Sequence, residues 1–237
     1  MRVAIFAIGD PHLSRAQPKP MDIFGPQWAN HAERLFANWR ATVGADDVVL
    51  VPGDISWAMD LEEAFLDLQD LDALPGTKVL IQGNHDYWWQ SISKIRALPL
   101  PTMRFIQNDH VMLPGQLAIC GTRGWLLPGA PGWDEDPAHN QKIYAREVGR
   151  LQLSLQSALK AGATSILVMM HYPPVGEDGA PTEFSRVLSA TPGVRLCVYG
   201  HLHGPSAHSR AFQGVLDGVE YRLVACDALD FTPLRIA

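Results

Sequence analysis

Five short apolar runs along the chain each stop at a cluster of Gly, Asp, Asn or His residues. The runs are four to six residues long, rich in Val, Ile and Leu, and bounded by Gly or Pro, a pattern typical of buried β-strands. The strands that we predict on this basis are Val3–Ile8, Val48–Val51, Lys78–Ile81, Ser165–Met170 and Arg195–Tyr199. A chain that repeats such strands needs other elements to cover the faces of the resulting sheet.

Helical hydrophobic spacing fills several of the intervals between these strands. Leu151, Leu155 and Leu159, for example, recur every four residues on what we predict to be one face of a helix. The predicted helices are Gln27–Val43, Leu61–Leu74, Gln141–Ala161 and Thr182–Ser189. The alternation of buried strands and helices predicts an α/β architecture in which helices cover the sheets.

Two stretches break the alternation and predict a mixed rather than a purely parallel sheet. In residues 102–120 the spacing shortens, which indicates a few strands joined directly, and residues 211–224 have the pattern of a hairpin. The loops Pro11–Pro26 and Thr122–Asn140 are long, and long loops in a compact domain are often functional. The chain has no fixed-period repeat, and we expect a single domain over residues 1–237.

Composition narrows the class of protein. With 47% hydrophobic and 19% charged residues the chain can bury a core, which excludes global disorder. The formal net charge of −6 argues against a protein held to long nucleic acid by its overall field. No apolar stretch has the length of a transmembrane helix, and the apolar N-terminus is interpreted as the first strand rather than a signal peptide. Three widely spaced cysteines, Cys120, Cys197 and Cys226, fit reduced core residues of a cytoplasmic protein.

The predicted strands end in side chains that can bind metal. In open α/β sheets, ligand sites lie beyond the carboxyl ends of the strands. The donors there are oxygen and nitrogen atoms without sulfur, which suits Mn, Fe, Zn or Co rather than a thiolate zinc site. They are too many for one tetrahedral zinc and about right for two ions that share a carboxylate. These residues are Asp10, His12, Asp54, Asn84, His85, Asp86, His171, His201 and His203.

The order of these motifs resembles that of the calcineurin-like metallophosphoesterase superfamily. The family's D-x-H, G-D, G-N-H-D, H and G-H-x-H motifs correspond here to Asp10-Pro11-His12, Gly53-Asp54, Gly83-Asn84-His85-Asp86, His171 and Gly200-His201-Leu202-His203. Any one motif is weak, but five in the family's order, each after an apolar run, are specific. The resemblance implies a four-layer α/β/β/α sandwich with two mixed β-sheets and a centre for two divalent metal ions at one edge.

The resemblance also implies how the ligands are divided. One ion takes Asp10, His12, Asp54 and His203, and the other takes Asp54, Asn84, His171 and His201, so that Asp54 bridges. The identity of the ions stays open among Mn, Fe, Zn and Co.

Three further residues are candidates for roles in chemistry. By the resemblance, His85 binds no metal and instead stabilises developing charge or protonates the leaving oxygen. Asp86 is expected to hydrogen-bond or charge-couple to the His85 imidazole, which favours the protonated form of a general acid. Arg123 has the chemistry to hold a substrate phosphate bidentately, with a surface salt bridge as the equal alternative.

The resulting expectation is a metal-dependent phosphohydrolase that cleaves a phosphate mono- or diester through metal-activated hydroxide, without a covalent intermediate. A small phosphate ester is the expected partner, with no long nucleic acid, no membrane and no nucleotide cofactor. Two alternatives are an inactive interaction scaffold on the same fold, which the complete motif set disfavours, and a nuclease, for which the chain offers no basic groove. The stretch after Asp54 lacks the second acidic residue or Asn that many family members carry, so it gives no substrate by analogy. The remaining histidines, assigned structural or surface roles, are His31, His110, His139 and His208.

Overall fold

The computed structural model describes residues 3–237 and contains two β-sheets. The first sheet has five strands in the order β11-β1-β2-β3-β4, in which β1 to β4 run parallel and β11 pairs antiparallel to β1. The bounds of its strands are Ile5–Ala7 (β1), Val48–Val51 (β2), Thr77–Leu80 (β3), Met103–Phe105 (β4) and Leu234–Arg235 (β11).

The second sheet has six strands in the order β5-β6-β7-β8-β10-β9. Its four inner strands are parallel, and the hairpin partners β5 and β9 run antiparallel at the two edges. The bounds are His110–Leu113 (β5), Leu117–Thr122 (β6), Ser165–Met170 (β7), Val194–Tyr199 (β8), Gly214–Leu216 (β9) and Val219–Leu223 (β10). Both sheets are mixed, as expected, and residues 211–224 contain the predicted hairpin.

Six α-helices surround the sheets in the described part of the chain. Their bounds are His31–Thr42 (α1), Leu61–Asp72 (α2), Ile92–Arg96 (α3), Pro137–Lys160 (α4), Glu183–Ala190 (α5) and Gly204–Arg210 (α6). Short 3-10 helices cover Met21–Phe24, Pro26–Trp28, Trp133–Glu135 and Cys226–Leu229. Within residues 3–237, none of the helices combines the length and apolar character that crossing a bilayer requires.

Alternate side chains of each strand enter different hydrophobic clusters, which produces four layers. In β2, Val48 and Leu50 pack between the two sheets, whereas Val49 and Val51 pack on the outer face against α1 and α2. The outer face of the second sheet packs against α4 and α5 through residues such as Leu151. The structure is therefore an α/β/β/α sandwich, because apolar residues at successive strand positions bury both faces of each sheet.

Several predicted boundaries need correction. The helix predicted at Gln27–Val43 begins only at His31, since a separate 3-10 turn precedes it. The third predicted helix begins four residues earlier, at Pro137, where Asp136 caps it by accepting from the His139 backbone N–H. Leu159, predicted on the same face as Leu151 and Leu155, is 37% exposed, whereas its neighbour Ala158 is buried. All three cysteines are free and buried, as expected for core residues.

The two sheets meet at the edge that carries the strand ends. The backbone N–H of Gly9, after β1, donates to the carbonyl of Val224, after β10, at 2.7 Å. Cys226 in turn donates its N–H to the Gly9 carbonyl at 3.0 Å. Loops that follow strands of different sheets are thereby brought within reach of one another.

Candidate metal centre

Seven of the predicted ligand residues lie together at this edge. They follow β1, β2 and β3 of the first sheet and β7 and β8 of the second, so that each sheet contributes side chains to one site. We call Asp10, His12 and His203 the Asp10 half, and Asn84, His171 and His201 the His171 half; Asp54 lies between them.

Four residues at the site have backbone conformations that residues other than glycine rarely adopt. Asp10, His12, Asp54 and His201 have φ angles of 58°, 45°, 51° and 71°. Left-handed backbone in residues other than glycine costs free energy and tends to occur where function requires it. Asn84, by contrast, does not have a left-handed backbone conformation.

Asp54 points one carboxylate oxygen at each half. Its Oδ2 lies 3.6 Å from His12 Nε2, and its Oδ1 lies 3.5 Å from His171 Nε2. Oδ1 also accepts the backbone N–H of His85 at 2.8 Å, which fixes the orientation of the carboxylate. This is the arrangement that a bridging carboxylate needs.

In the Asp10 half, ring nitrogens face each other. His12 Nε2 and His203 Nε2 are 3.3 Å apart, and His203 Nε2 is 3.9 Å from Asp10 Oδ1. His203 Nδ1 donates instead to Asp227 Oδ1 at 2.9 Å, which leaves Nε2 free to bind a cation. Asp227 Oδ2 accepts from the Gly204 N–H at 2.9 Å.

In the His171 half, the donors are an amide oxygen and two imidazoles. Asn84 Oδ1 lies 2.6 Å from His171 Nε2 and 2.9 Å from His201 Nδ1, and these two nitrogens are 3.2 Å apart. His171 Nδ1 donates to the carbonyl of Pro52 at 3.0 Å. His171 Nδ1 also approaches Asp10 Oδ1, but since it is committed to Pro52, Nε2 is the nitrogen that faces the centre.

Two glycines leave room for the carboxylates. A Cβ atom at Gly83 would overlap Asp54 Oδ1, and one at Gly200 would overlap Asp10 Oδ2. Both glycines belong to motifs identified in the sequence, and here their role is close approach rather than a turn.

The donor set fits divalent cations. Lone pairs of nitrogen and oxygen point at one another across 2.6–3.3 Å, and Asp10 Oδ2 is buried without a hydrogen-bond partner. Burial lowers the pKa of His171 and of His201 to about 3, and it lowers that of His12 well below its usual range. These imidazoles are therefore neutral, the form that binds metal. One ligand atom each of Asp10, His12 and His203 lie within 4.8 Å of one another.

His203 differs from the other histidines in its protonation. Burial opposes its charge, but the hydrogen bond to Asp227 and the nearby carboxylates outweigh burial and raise its pKa. A second histidine, His208 on α6, lies with its Nε2 3.3 Å from Asp227 Oδ2. His208 therefore contacts a residue that orients a candidate ligand, although we had assigned it a structural or surface role.

His85 lies beside the Asp10 half. Its ring centroid is 5.8 Å from that of His12 and 4.4 Å from that of Trp57. Burial lowers the pKa of His85, the Asp54 carboxylate opposes that shift, and Lys19 adds to it. Its Nδ1 is 3.3 Å from the Tyr87 hydroxyl.

The expected contact between Asp86 and His85 is not formed. Asp86 Oδ1 accepts from the Ile55 N–H at 2.8 Å and from Trp88 Nε1 at 3.0 Å, and Oδ2 accepts from the Gly83 N–H at 2.7 Å. Burial, followed by the charge of Asp54, raises the pKa of Asp86 to about 7. Asp86 points away from the imidazole because its carboxylate joins the two loops that carry Asp54 and Asn84.

Aromatic side chains border both halves, and on each side a cationic side chain lies against an aromatic ring. On the Asp10 side, Trp57 stacks on His12 at 4.9 Å, and Lys19 Nζ lies 3.3 Å from the Trp57 ring centroid. On the other side, the Tyr172 ring lies 4.1 Å from that of His201. The Arg123 guanidinium lies 4.7 Å from the centroid of Trp125, and its Nε is buried without a hydrogen-bond partner.

Sequence reasoning missed Asp227. The signal was present, because the apolar end of β10 runs into Val224-Ala225-Cys226-Asp227 in the same way that the other strands run into their ligands. The hairpin pattern of residues 211–224 ends before Asp227, which lies just beyond it.

Comparison with known proteins agrees with this geometry. The fold is an α/β/β/α sandwich with a candidate metal centre at one edge. The family model for calcineurin-like phosphoesterases matches residues 3–205, and the chain belongs to that family, as the motif order had indicated. Among proteins with curated functions, none matches the sequence significantly.

Two solved structures align along nearly the whole chain at low sequence identity. Phosphopantetheinyl hydrolase from Mycobacterium tuberculosis is 14% identical, with a TM-score of 0.57 over 98% of this chain and 95% of that one. A protein of unknown function from Aquifex aeolicus is 15% identical, with a TM-score of 0.45 over 99% and 96%. The likeness to the first of these confirms the fold.

Proposed function

We propose that the protein is a two-metal phosphohydrolase that cleaves a small phosphate mono- or diester. The observation that carries the proposal is the position of Asp54, whose two oxygens face the two halves of the centre at 3.6 and 3.5 Å. In the proposed assignment, Asp10, His12, Asp54 and His203 hold one ion, and Asp54, Asn84, His171 and His201 hold the other. The ions, which we expect to be Mn, Fe, Zn or Co, supply positive charge and lower the pKa of bound water.

The chain's own residues then position and protonate the substrate. Water adds its oxygen to phosphorus, the phosphorus–oxygen bond to the leaving group breaks, and the leaving oxygen gains a proton. His85 is the group that we propose to donate this proton or to stabilise the developing charge. The Arg123 guanidinium, unpartnered at Nε, is proposed to contact the non-bridging phosphate oxygens.

The buried thiol of Cys226 favours direct attack by water on phosphorus over attack by a cysteine. Cys226 is buried, and its Sγ donates to the Asp10 carbonyl at 2.8 Å. Burial, together with the charges of Asp10 and Asp227, raises the pKa of this thiol well above its usual range. It is therefore a poor nucleophile, which supports hydrolysis without a covalent intermediate. Three free cysteines also support the cytoplasmic location that we propose.

The function is tested by metal content and turnover together. Protein loaded with Mn, Co, Zn, Fe or Mg should be assayed on 4-nitrophenyl phosphate, its phosphodiester analogue and cyclic nucleotides. Phosphopantetheine esters belong in the panel because a relative in fold bears that name. We expect two ions per chain and turnover of at least one small ester. Two bound ions without turnover of any ester would instead support the scaffold.

A further inference from the structure

A cleft beside the metal centre is lined by cationic and amide side chains, of which the proposed reaction uses only Arg123. It lies between the ends of β3 and β6, and residues of both sheets line it. The residues that matter for its chemistry are Gln107, Asn108, Thr122, Arg123, Glu147 and Arg150.

A buried glutamate organises the cleft. Glu147 Oε2 accepts from Thr122 Oγ1 at 2.7 Å, and its Oε1 accepts from Arg150 Nη1 at 3.0 Å and from Arg146 Nη2 at 3.2 Å. The Glu147 side chain is fully buried, whereas that of Arg150 is 31% exposed. Glu147 thereby fixes the arginines while one side of each stays open to solvent.

The cluster keeps more hydrogen-bond donors than its single carboxylate can satisfy. Two arginines, Arg146 and Arg150, bind this one glutamate, and Arg123 lines the same cleft, in a chain whose formal net charge is −6. Each guanidinium has several N–H donors in a planar fork, so that most of them remain free. The nearby carboxylate of Asp109 does not neutralise them, because it pairs with Arg96 at 2.6 Å.

Two amides add to these donors. Gln107 accepts from Trp89 Nε1 through its Oε1 at 2.9 Å, which directs its Nε2 away from that contact. Within residues 3–237, neither Gln107 Nε2 nor the Asn108 side chain has a hydrogen-bond partner, and Asn108 is exposed at the rim. Amide and guanidinium donors in excess of the one carboxylate acceptor, Glu147, are the surroundings that an oxyanion requires.

The cleft is one strand away from the metal centre. The carbonyl of Arg123 accepts the backbone N–H groups of His171 and Tyr172 at 3.1 and 2.9 Å. The cleft has an inner volume of about 20 Å³, which admits one oxygen atom. An anion would therefore bind over the cleft with one of its oxygen atoms inside.

We propose that this cleft binds a second oxyanion of the substrate, so that the preferred ester carries another phosphate besides the one that is cleaved. The proposal rests on the proposed function for the identity of the first phosphate. Arg150 and Asn108 are the specificity-determining residues, and Arg123 lines the same cleft.

Binding of unreactive ligands tests the proposal without relying on turnover. Manganese-loaded protein is titrated by calorimetry with alkane-α,ω-bisphosphonates of increasing chain length and with alkylphosphonates of the same lengths. One charge-assisted contact should make the best-fitting bisphosphonate bind about tenfold or more tightly than its matched monophosphonate. Equal affinities at every chain length would overturn the proposal.

Two variants locate the effect. Asn108→Asp places a negative charge at the rim at a residue whose φ of 65° aspartate tolerates. Its control is Gln116→Glu, which adds the same charge at the opposite end of β6. Arg150→Met removes the guanidinium, and its control is Arg222→Met, a similarly exposed arginine paired with Glu220.

The bisphosphonate advantage should disappear in Asn108→Asp and in Arg150→Met and persist in both controls. If the cleft is only a structural ion network, Arg150→Met lowers the melting temperature. The ratio of bisphosphonate to monophosphonate affinity then stays the same in both variants as in the unsubstituted protein. Hydrolysis of 4-nitrophenyl phosphate reports the proposed function separately. Turnover without a bisphosphonate advantage would overturn the second oxyanion site and leave the proposed function standing. A bisphosphonate advantage without turnover would support the site and contradict the proposed function.

Discussion

The two halves of the centre hold their donors by different chemistry. The Asp10 half contains a carboxylate ligand, and the anionic Asp227 supports His203 from behind at 2.9 Å. The His171 half offers a neutral amide from Asn84, and His171 is supported by the uncharged carbonyl of Pro52. Apart from the shared Asp54, one half is anionic and the other is neutral.

The halves also differ in how the backbone supports them. His171 follows β7 directly and is completely buried. His12 lies in a loop after β1, held by its N–H to the Asp54 carbonyl at 3.0 Å and by the ring of Trp57. The Asp10 half therefore carries the negative charge, and the His171 half contains the more rigidly supported histidine. Because negative charge attracts a cation, we expect the ion of the Asp10 half to bind more tightly and that of the His171 half to exchange more readily.

The largest expected effect removes the feature that the halves share. Asp54→Asn eliminates the carboxylate charge that, in the proposed assignment, both ions share, so both should be lost together and turnover should fall by about a thousandfold or more. Elemental analysis and turnover measure this, with the exposed Asp46→Asn as control. A variant that still holds two ions per chain would show that Asp54 does not bridge.

The next effect separates chemistry from metal binding on the Asp10 side. His85→Ala should keep both ions and the fold, yet lower turnover by about two to four orders of magnitude, the usual contribution of a positioned acid or base. The loss should be smaller for a nitrophenolate leaving group, which needs less protonation. Metal content, melting temperature and turnover on an alkyl and a nitrophenyl ester decide the matter. Full turnover per folded molecule would remove His85 from the mechanism.

A smaller effect should be confined to one half. Asp227→Asn removes the charge behind His203, and loss of such a partner lowers metal affinity by about 10–100-fold. We expect weaker binding of one ion only, measured by competition with a chelator, with a changed visible spectrum in the cobalt-loaded protein. Asp230→Asn, an exposed carboxylate on the same segment, is the control. Equal weakening of both ions would contradict the comparison.

The same comparison shows what sequence can predict. The candidate ligands of both halves were predictable from the sequence, because each follows an apolar strand, and strand ends of parallel sheets meet at one edge. The side-chain direction of Asp86 was not readable, because a loop between two strands can turn a carboxylate either way. In this structure four donors determine that direction, namely the backbone N–H groups of Ile55, Ser56 and Gly83 and the indole N–H of Trp88.

Contacts between side chains that are far apart in the chain could not be predicted from the sequence either. Asp227 and His203 are 24 residues apart on different elements, and only the packing of α6 against the segment after β10 brings them together. Glu147 likewise meets Thr122 across a helix and a strand. Local propensity contains no information about such pairs, whereas the motif order already implied the sandwich that positions them.

The smallest predicted effect tests whether the loop supports the Asp10 half. Buried Asp67, on α2, accepts the Arg15 N–H at 2.9 Å and the Ser56 hydroxyl, so it anchors the loop after His12. Asp67→Ala leaves these donors unsatisfied and should lower the free energy of unfolding by about 1–3 kcal/mol. Asp70→Ala is the matched control, because Asp70 binds the same Arg15 through an exposed ion pair and its loss should cost less than about 1 kcal/mol.

Chemical denaturation measures both variants, and chelator competition shows which ion is affected. Because Asp67 holds both the loop after His12 and Ser56, two residues after Asp54, Asp67→Ala should weaken the ion of the Asp10 half more than that of the His171 half, and by less than Asp227→Asn does. If instead the ion of the His171 half is the one released, the strand ends are not the more rigid support. The contrast between a loop-built anionic half and a strand-built neutral half would then be reduced to a difference in charge.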